Sequence, residues 1–280
     1  MHRAAPFLAA VLLLGPVARA DPSPGLPDSP PPGPDHGKVA TCDATPVGAG
    51  RLEIELAYSP ALTQRGMGGF ERSTHAHTQA LVFSLTHGLA DDVDVRLAAG
   101  VGEAMERTAP GQSRTGTGAT DLALGARWRF LADAERGLDL AVSATAVAPT
   151  GRPASDRAPG LTQGYWSVRG ALVASKDWGS TTANAELAVV LPAARRSGVG
   201  GAAFASLALG HALRPWLQPM AELSYDAARE GPLRQRLAVA AGLSLTGQAG
   251  ERLLAGVQQA VWGRHQRQAV SALLALKLAL

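Results

Sequence analysis

Charged side chains in this chain recur at two-residue steps inside otherwise apolar runs, and these are the positions where chemistry could be done. Glu53, Asp94, Arg96, Arg127, Arg129, Asp139, Glu186, Glu222, Asp226, Arg236 and Lys277 all fall on the polar face of such runs. If successive runs are antiparallel neighbours, opposite charges come within pairing reach. Asp94 then faces Arg127, and Arg129 and Asp139 stand beside them. Lys277 stands near Glu53, and Asp226 near Arg234 and Arg236. Pairs of this kind brace an interior. The same groups, arranged as a ring, bind passing ions or solutes and set charge preference.

Signs of covalent chemistry are scarce. No G-x-S-x-G motif is present, and Gly111-Gln-Ser-Arg-Thr115 matches it only in part. There is no Walker A motif. Gly116-Thr-Gly118 and Gly198-Val-Gly-Gly201 lack the strand–helix setting of a dinucleotide site and read as loops. His75-Ala-His77 with Glu71 could approach a metal ion, but a metal site needs three or four converging ligands, so a solvated loop base is the better reading. Asp226 and His265 are the residues a barrel hydrolase would draw on. No catalytic residue, metal or cofactor is assigned.

The elements that would hold these charges are strands. In 51–58, Leu52, Ile54, Leu56 and Tyr58 alternate with Arg51, Glu53, Glu55 and Ala57. Alternation at period two is the mark of a strand with one apolar face. The pattern recurs at 94–101, 121–130, 138–148, 181–191, 217–226, 235–245, 252–262 and 270–280, and less regularly at 75–87, 163–174 and 201–210. That makes twelve strands of about ten residues, the length a tilted strand needs to cross a bilayer. Ala and Leu favour helix, but the 32 glycines are spread through these runs and Leu237, Val239, Ala241, Leu243 and Leu245 step by two.

Composition excludes several classes. The longest apolar stretch, 7–17, is too short for a helical span and holds Gly15 and Pro16. One cysteine, Cys42, allows no intrachain disulfide. Formal charge is +3, falling to near +1 without residues 1–20, whose only charges are Arg3 and Arg19. That balance leaves no nucleic-acid footprint.

Residues 1–20 read as an export signal: Arg3, an apolar core, then Ala18-Arg19-Ala20 for cleavage. Residues 21–49 read as a flexible linker, with seven prolines in 21–36. Cys42 falls in it and reads as an incidental thiol. Residues 50–280 read as the strand domain.

Connections alternate in length. Those at 87–92, 131–137, 175–180, 211–216 and 246–251 are short; those at 59–74, 102–120, 149–162 and 192–200 are long. Trp128, Phe130, Trp178 and Trp216 would gather at the short-turn end, and Tyr58, Trp166, Tyr225 and Trp262 at the other. Two aromatic belts around an Ala/Val/Leu band, with short turns opposite long loops, describe an all-β, antiparallel, up-and-down transmembrane barrel. A soluble sandwich would concentrate aromatics mid-core instead.

Three segments carry a family resemblance. Residues 86–96 (THGLADDVDVR), 118–130 (GATDLALGARWRF) and 148–151 (APTG) resemble the outer-membrane transporters named after the meta-pathway of phenol degradation. That resemblance implies a passive outer-membrane channel or transporter for small, often hydrophobic or aromatic compounds. The expected partners are outer-membrane lipid, the barrel-assembly machinery and a small-molecule solute, with no nucleic acid. The alternatives are a plugged structural or adhesive barrel and, further off, a barrel hydrolase.

Overall fold

The computed structural model describes residues 41–64, 76–109, 112–155, 158–193, 199–230, 233–247, 250–265 and 268–280. The expected export signal and the first part of the expected linker, 21–40, lie outside them. The described chain carries thirteen strand segments: β1 Leu52–Gln64, β2 Ala76–Ala90, β3 Val93–Ala109, β4 Gln112–Ala119, β5 Leu122–Asp133, β6 Leu138–Ala148, β7 Ser167–Trp178, β8 Thr181–Pro192, β9 Val199–His211, β10 Leu217–Glu230, β11 Leu233–Thr246, β12 Arg252–Arg264 and β13 Gln268–Ala279.

All pairings are antiparallel between chain neighbours, and β1 also pairs with β13, from Glu53 opposite Ala279 to Gln64 opposite Gln268. That pairing closes the sheet. β4 and β5 both pair with β3, one above the other, so together they make a single barrel strand interrupted at Thr120–Asp121. The result is a closed barrel of twelve antiparallel strands. Closure removes sheet edges, which no lipid-facing structure tolerates.

The two faces separate as the alternation requires. Glu53, Glu55, Ala57 and Ser59 of β1 are buried inside, while Leu56, Tyr58 and Leu62 stand exposed on the outer face. Leu124, Leu243 and Leu276 are likewise exposed leucines on the outside. An exposed leucine band is costly in water and favourable in acyl chains. Trp128, Phe130, Trp178 and Trp216 project outward at the short-turn end, and Trp166 and Trp262 at the loop end, whereas Tyr58, expected there, stands outward at mid-strand because β1 runs on to Gln64.

The structure corrects three further sequence expectations. Residues 102–120 are no loop. β3 runs on to Ala109 and turns into β4, so that Glu103 faces Thr117 and Glu106 faces Arg114. The alternation persists there, but its outward side is polar, because this hairpin continues past the apolar band. The strand expected from 163 starts at Ser167 instead, since Gln163 is drawn inward by Asp121. Finally, 41–49 is not a loose linker: Thr41 to Val47 are mostly buried inside the barrel.

Candidate functional site

The lumen is the candidate site, and its wall is polar. All eleven charged positions singled out from sequence lie on the inward side of their strands by the alternation of burial. Glu53, Asp94, Arg127, Glu186, Glu222 and Lys277 are buried. Arg127 Nη2 donates to Asp94 Oδ2 at 2.5 Å across the β3–β5 pairing. Arg129 bonds Asp92 at 2.9 Å and approaches Asp139 to 3.6 Å. Arg236 Nε donates to Asp226 Oδ2 at 2.7 Å. Lys277 sits 3.9 Å from Glu53 and 3.6 Å from Glu55 across the closing seam. Arg96 donates to Ser84 at 3.0 Å and to Glu55 at 3.5 Å.

Several further inward charges were not singled out, among them the Glu106–Arg114 pair at 3.1 Å. Glu55 shares the face of Glu53, and its period-two position was the signal for it. Arg169 pairs with Glu186 from the neighbouring strand. Arg252 is buried opposite Lys277. Buried charges are expensive unless paired, and the two-residue step places partners on adjacent strands.

The second feature of the lumen is the chain's own segment before β1. Gly50 N donates to Gly88 O at 2.9 Å and Ala49 N to Asp91 at 3.2 Å, at the short-turn end. From there the segment crosses the barrel. Val47 N donates to Asp94 (3.1 Å), Thr45 Oγ1 to Asp139 (3.0 Å) and Ala44 N to Ser175 Oγ (2.9 Å). Cys42 N donates to Glu186 (3.0 Å), and Thr41 donates from both N and Oγ1 to Glu222 Oε2 (3.0 and 3.1 Å). Arg127 Nη1 in turn donates to the Asp43 carbonyl at 2.8 Å. Extended backbone inside a barrel has no ladder to join, so wall carboxylates accept its N–H groups. Cys42 and Ala44 also pack on Ala141, Ala171, Val173, Ala188 and Phe204, an apolar strip of the inner wall.

Between this segment and the β2–β7 wall lies a cavity of about 60 Å³, lined by Arg96, Arg127, Arg169, Asp94, Ser143, Thr145 and Cys42 among others. It has room for a few water molecules. The cavity can hold small polar species against a charged wall. Among the described residues no group of three metal-ligating side chains comes together. His75 and Glu71 lie outside the described residues, and His77 falls on the outward side of β2. Asp226 is engaged by Arg236.

The family model described as "Putative MetA-pathway of phenol degradation" matches residues 63–277. Among curated proteins none matches the chain by sequence. Among solved structures, an outer membrane channel from Pseudomonas putida F1 superposes with a TM-score of 0.74 at 13% identity, over 87% of this chain and 100% of that one. The beta domain of the Bordetella autotransporter BrkA gives a TM-score of 0.52 at 14% identity, covering 83% of this chain and 100% of that one. The translocator domain of the autotransporter NalP from Neisseria meningitidis gives 0.51 at 12% identity, over 82% of this chain and 88% of that one. At these identities the likeness is one of fold: the outer-membrane barrel.

Proposed function

The chain belongs to the MetA-pathway phenol-degradation family, and from that premise we propose that it is an outer-membrane channel for passive uptake of small molecules, hydrophobic or aromatic ones among them. The observation that carries this reading is the inversion of chemistry across the wall. Leucines and a rim of tryptophans face outward, while paired charges and hydroxyls line the inner face of the wall. A barrel built only to sit in lipid has no use for so many buried ionic groups, each costly to desolvate.

In this reading residues 1–20 direct export and the barrel-assembly machinery inserts the strands. The short turns, together with the start of β1 and the end of β13, face the periplasm. The lumen charges, from Glu53 and Lys277 at the seam to Asp226 and Arg236 near the outer rim, then line the solute path. The activity is passage, not catalysis.

The segment 41–47 favours a second reading, a barrel plugged for a structural role. One experiment separates the two. Full-length refolded protein and a variant lacking 41–47 are compared in planar bilayers, with and without phenol or benzoate. Steady conductance of the full-length protein, altered by solute, supports the channel, whereas conductance that appears only when 41–47 is removed supports the plug. Silence in both, with intact barrels, supports the plug.

A further inference from the structure

The segments 118–121 and 148–151 meet at the loop end of the barrel. Asp121 sits at the break between β4 and β5 and is buried. Its carboxylate accepts two backbone N–H groups of the β6–β7 connection: Gly151 N to Oδ1 at 3.0 Å and Gln163 N to Oδ2 at 2.9 Å. Thr150 Oγ1 returns the contact by accepting Leu122 N at 3.0 Å. Arg152 N donates to Ala119 O at 3.0 Å, and Gln163 Nε2 donates to Ser167 Oγ at 2.7 Å. Both feet of the connection, Gly151 and Gln163, are therefore pinned to one carboxylate. The chain between them must form a closed bow.

That bow turns into the barrel. Ala158 and Leu161 are buried. Leu161 packs on Ala80, Val82, Ala98 and Ala104, all on the lumen face of β2 and β3. The wall there is cut back to admit it. A Cβ at Gly116 would lie 2.2 Å from Pro159 O, and one at Gly102 would lie 3.6 Å from Leu161 Cδ2. Ordinary outer loops run away from the lumen over the surface. This one is bent in and seated on glycines and alanines.

We propose that Asp121 is a positioning residue that latches this strap inside the lumen, and that the strap's apolar tip, Pro159 to Leu161, is the constriction that sets the size limit for entering solutes. Charge-assisted acceptance of two N–H groups is what holds the bow. Without it both feet lose their shared acceptor at once, leaving the Arg152–Ala119, Thr150–Leu122 and Gln163–Ser167 bonds and the tip contacts to hold the strap. The Glu106–Arg114 pair lines the wall two residues on from Ala104 and Gly116, but the tip itself offers only Pro159, Gly160 and Leu161, so the limit it sets is one of size and apolar fit. The size-limit part rests on the channel reading of the preceding subsection. The latch itself does not.

The test uses full-length protein with Cys42→Ser and Leu161→Cys, with and without Asp121→Ala, refolded and checked for the heat-modifiable gel shift of an intact barrel. A maleimide reads exposure of position 161. Planar bilayers or liposome swelling, with a series of solutes of rising size, read the limit. Asp121→Ala is expected to speed labelling about tenfold or more, the signature of a locally opened segment, and to admit larger solutes. Bridging Gly102→Cys to Leu161→Cys with a short bis-maleimide is expected to restore the original limit. Unchanged labelling overturns the latch. Faster labelling with an unchanged limit in a conducting protein overturns the constriction. If no variant conducts, including one that also lacks 41–47, the channel reading and the size limit both fall, and labelling alone decides the latch. Should Asp121→Ala not fold, Asp121→Asn, which leaves one uncharged acceptor oxygen where there were two, is expected to give the same changes at smaller amplitude, and their absence there overturns the proposal.

Discussion

Asp94 and Arg127 face each other on β3 and β5, with 2.5 Å between Oδ2 and Nη2, and the same Asp94 oxygen accepts Val47 N at 3.1 Å. One carboxylate oxygen thus serves the barrel wall and the segment crossing the lumen. Arg127 completes the triangle by donating to the Asp43 carbonyl at 2.8 Å. Wall and segment therefore share one electrostatic cluster.

Removing one member of this pair should cost far more than removing both. Asp94→Ala leaves the Arg127 guanidinium buried without its carboxylate, which is expected to lower stability by about 3–5 kcal/mol. Asp94→Leu with Arg127→Met replaces both by apolar groups and is expected to recover most of that loss. Urea unfolding of the folded barrel in detergent or lipid checks this. Equal destabilisation by the single and double variants would show that the pair is not the principal partner of either residue.

Gly88 marks where the crossing segment leaves the wall. A Cβ there would stand 1.6 Å from Gly48 O, a backbone atom that cannot give way by side-chain rotation. Gly48 itself sits at φ +88° and Gly50 at φ +70°, a bend that L side chains rarely adopt. Gly88→Val is therefore expected to push 41–50 off its seat while the β2–β3 ladder survives. Cys42, now buried, should react with a small maleimide about tenfold faster. Gly170→Ala, where nothing lies within 4 Å of the added Cβ, is the control and should leave the rate as it was.

What the sequence showed and hid divides on physical lines. The strands were legible because lipid outside and charge inside force a two-residue alternation, and the pairs Asp94–Arg127 and Glu53–Lys277 followed from that step plus hairpin order. The seat of 41–47 was not legible, because its bonds come from backbone N–H groups of Thr41, Cys42, Ala44 and Val47. Any non-proline residue offers that donor. Asp121 hid for the same reason, since its partners are the amides of Gly151 and Gln163. The β3–β4 hairpin read as a loop because its glycines and polar residues lie past the apolar band, where alternation no longer sorts leucine from charge.

The outer band gives a direct check that lipid covers it. Leu243 is exposed on β11, between Ala241 and Leu245 on the same face and opposite Pro219 and Ala255 on the neighbouring strands. An arginine at the midplane of such a barrel costs about 2–4 kcal/mol, falling to 0–1 near the interfaces. Leu243→Arg is expected to lose stability in that range in phospholipid bilayers. An unchanged urea midpoint and slope would mean that this face does not meet acyl chains.

At the short-turn end the mouth of the lumen is held by Arg129, which bonds Asp92 through Nε and Nη2 at 3.0 and 2.9 Å and reaches Asp139 at 3.6 Å. Asp92 is largely in solvent, so these contacts are screened and each contributes about 0–1 kcal/mol. Stability should therefore change little when Arg129 is replaced, which makes it the cleanest probe of charge at this mouth. Arg129→Glu leaves Asp92, Asp139 and the new carboxylate together, with the neighbouring Arg127 guanidinium already engaged by Asp94. A ring of that sign attracts cations and excludes anions. In full-length protein or in the variant lacking 41–47, whichever conducts, the reversal potential across a salt gradient should move toward the cation equilibrium potential. A reversal potential identical to that of the parent would leave Arg129 as a brace between the β2–β3 turn and β6, with no part in selecting what passes.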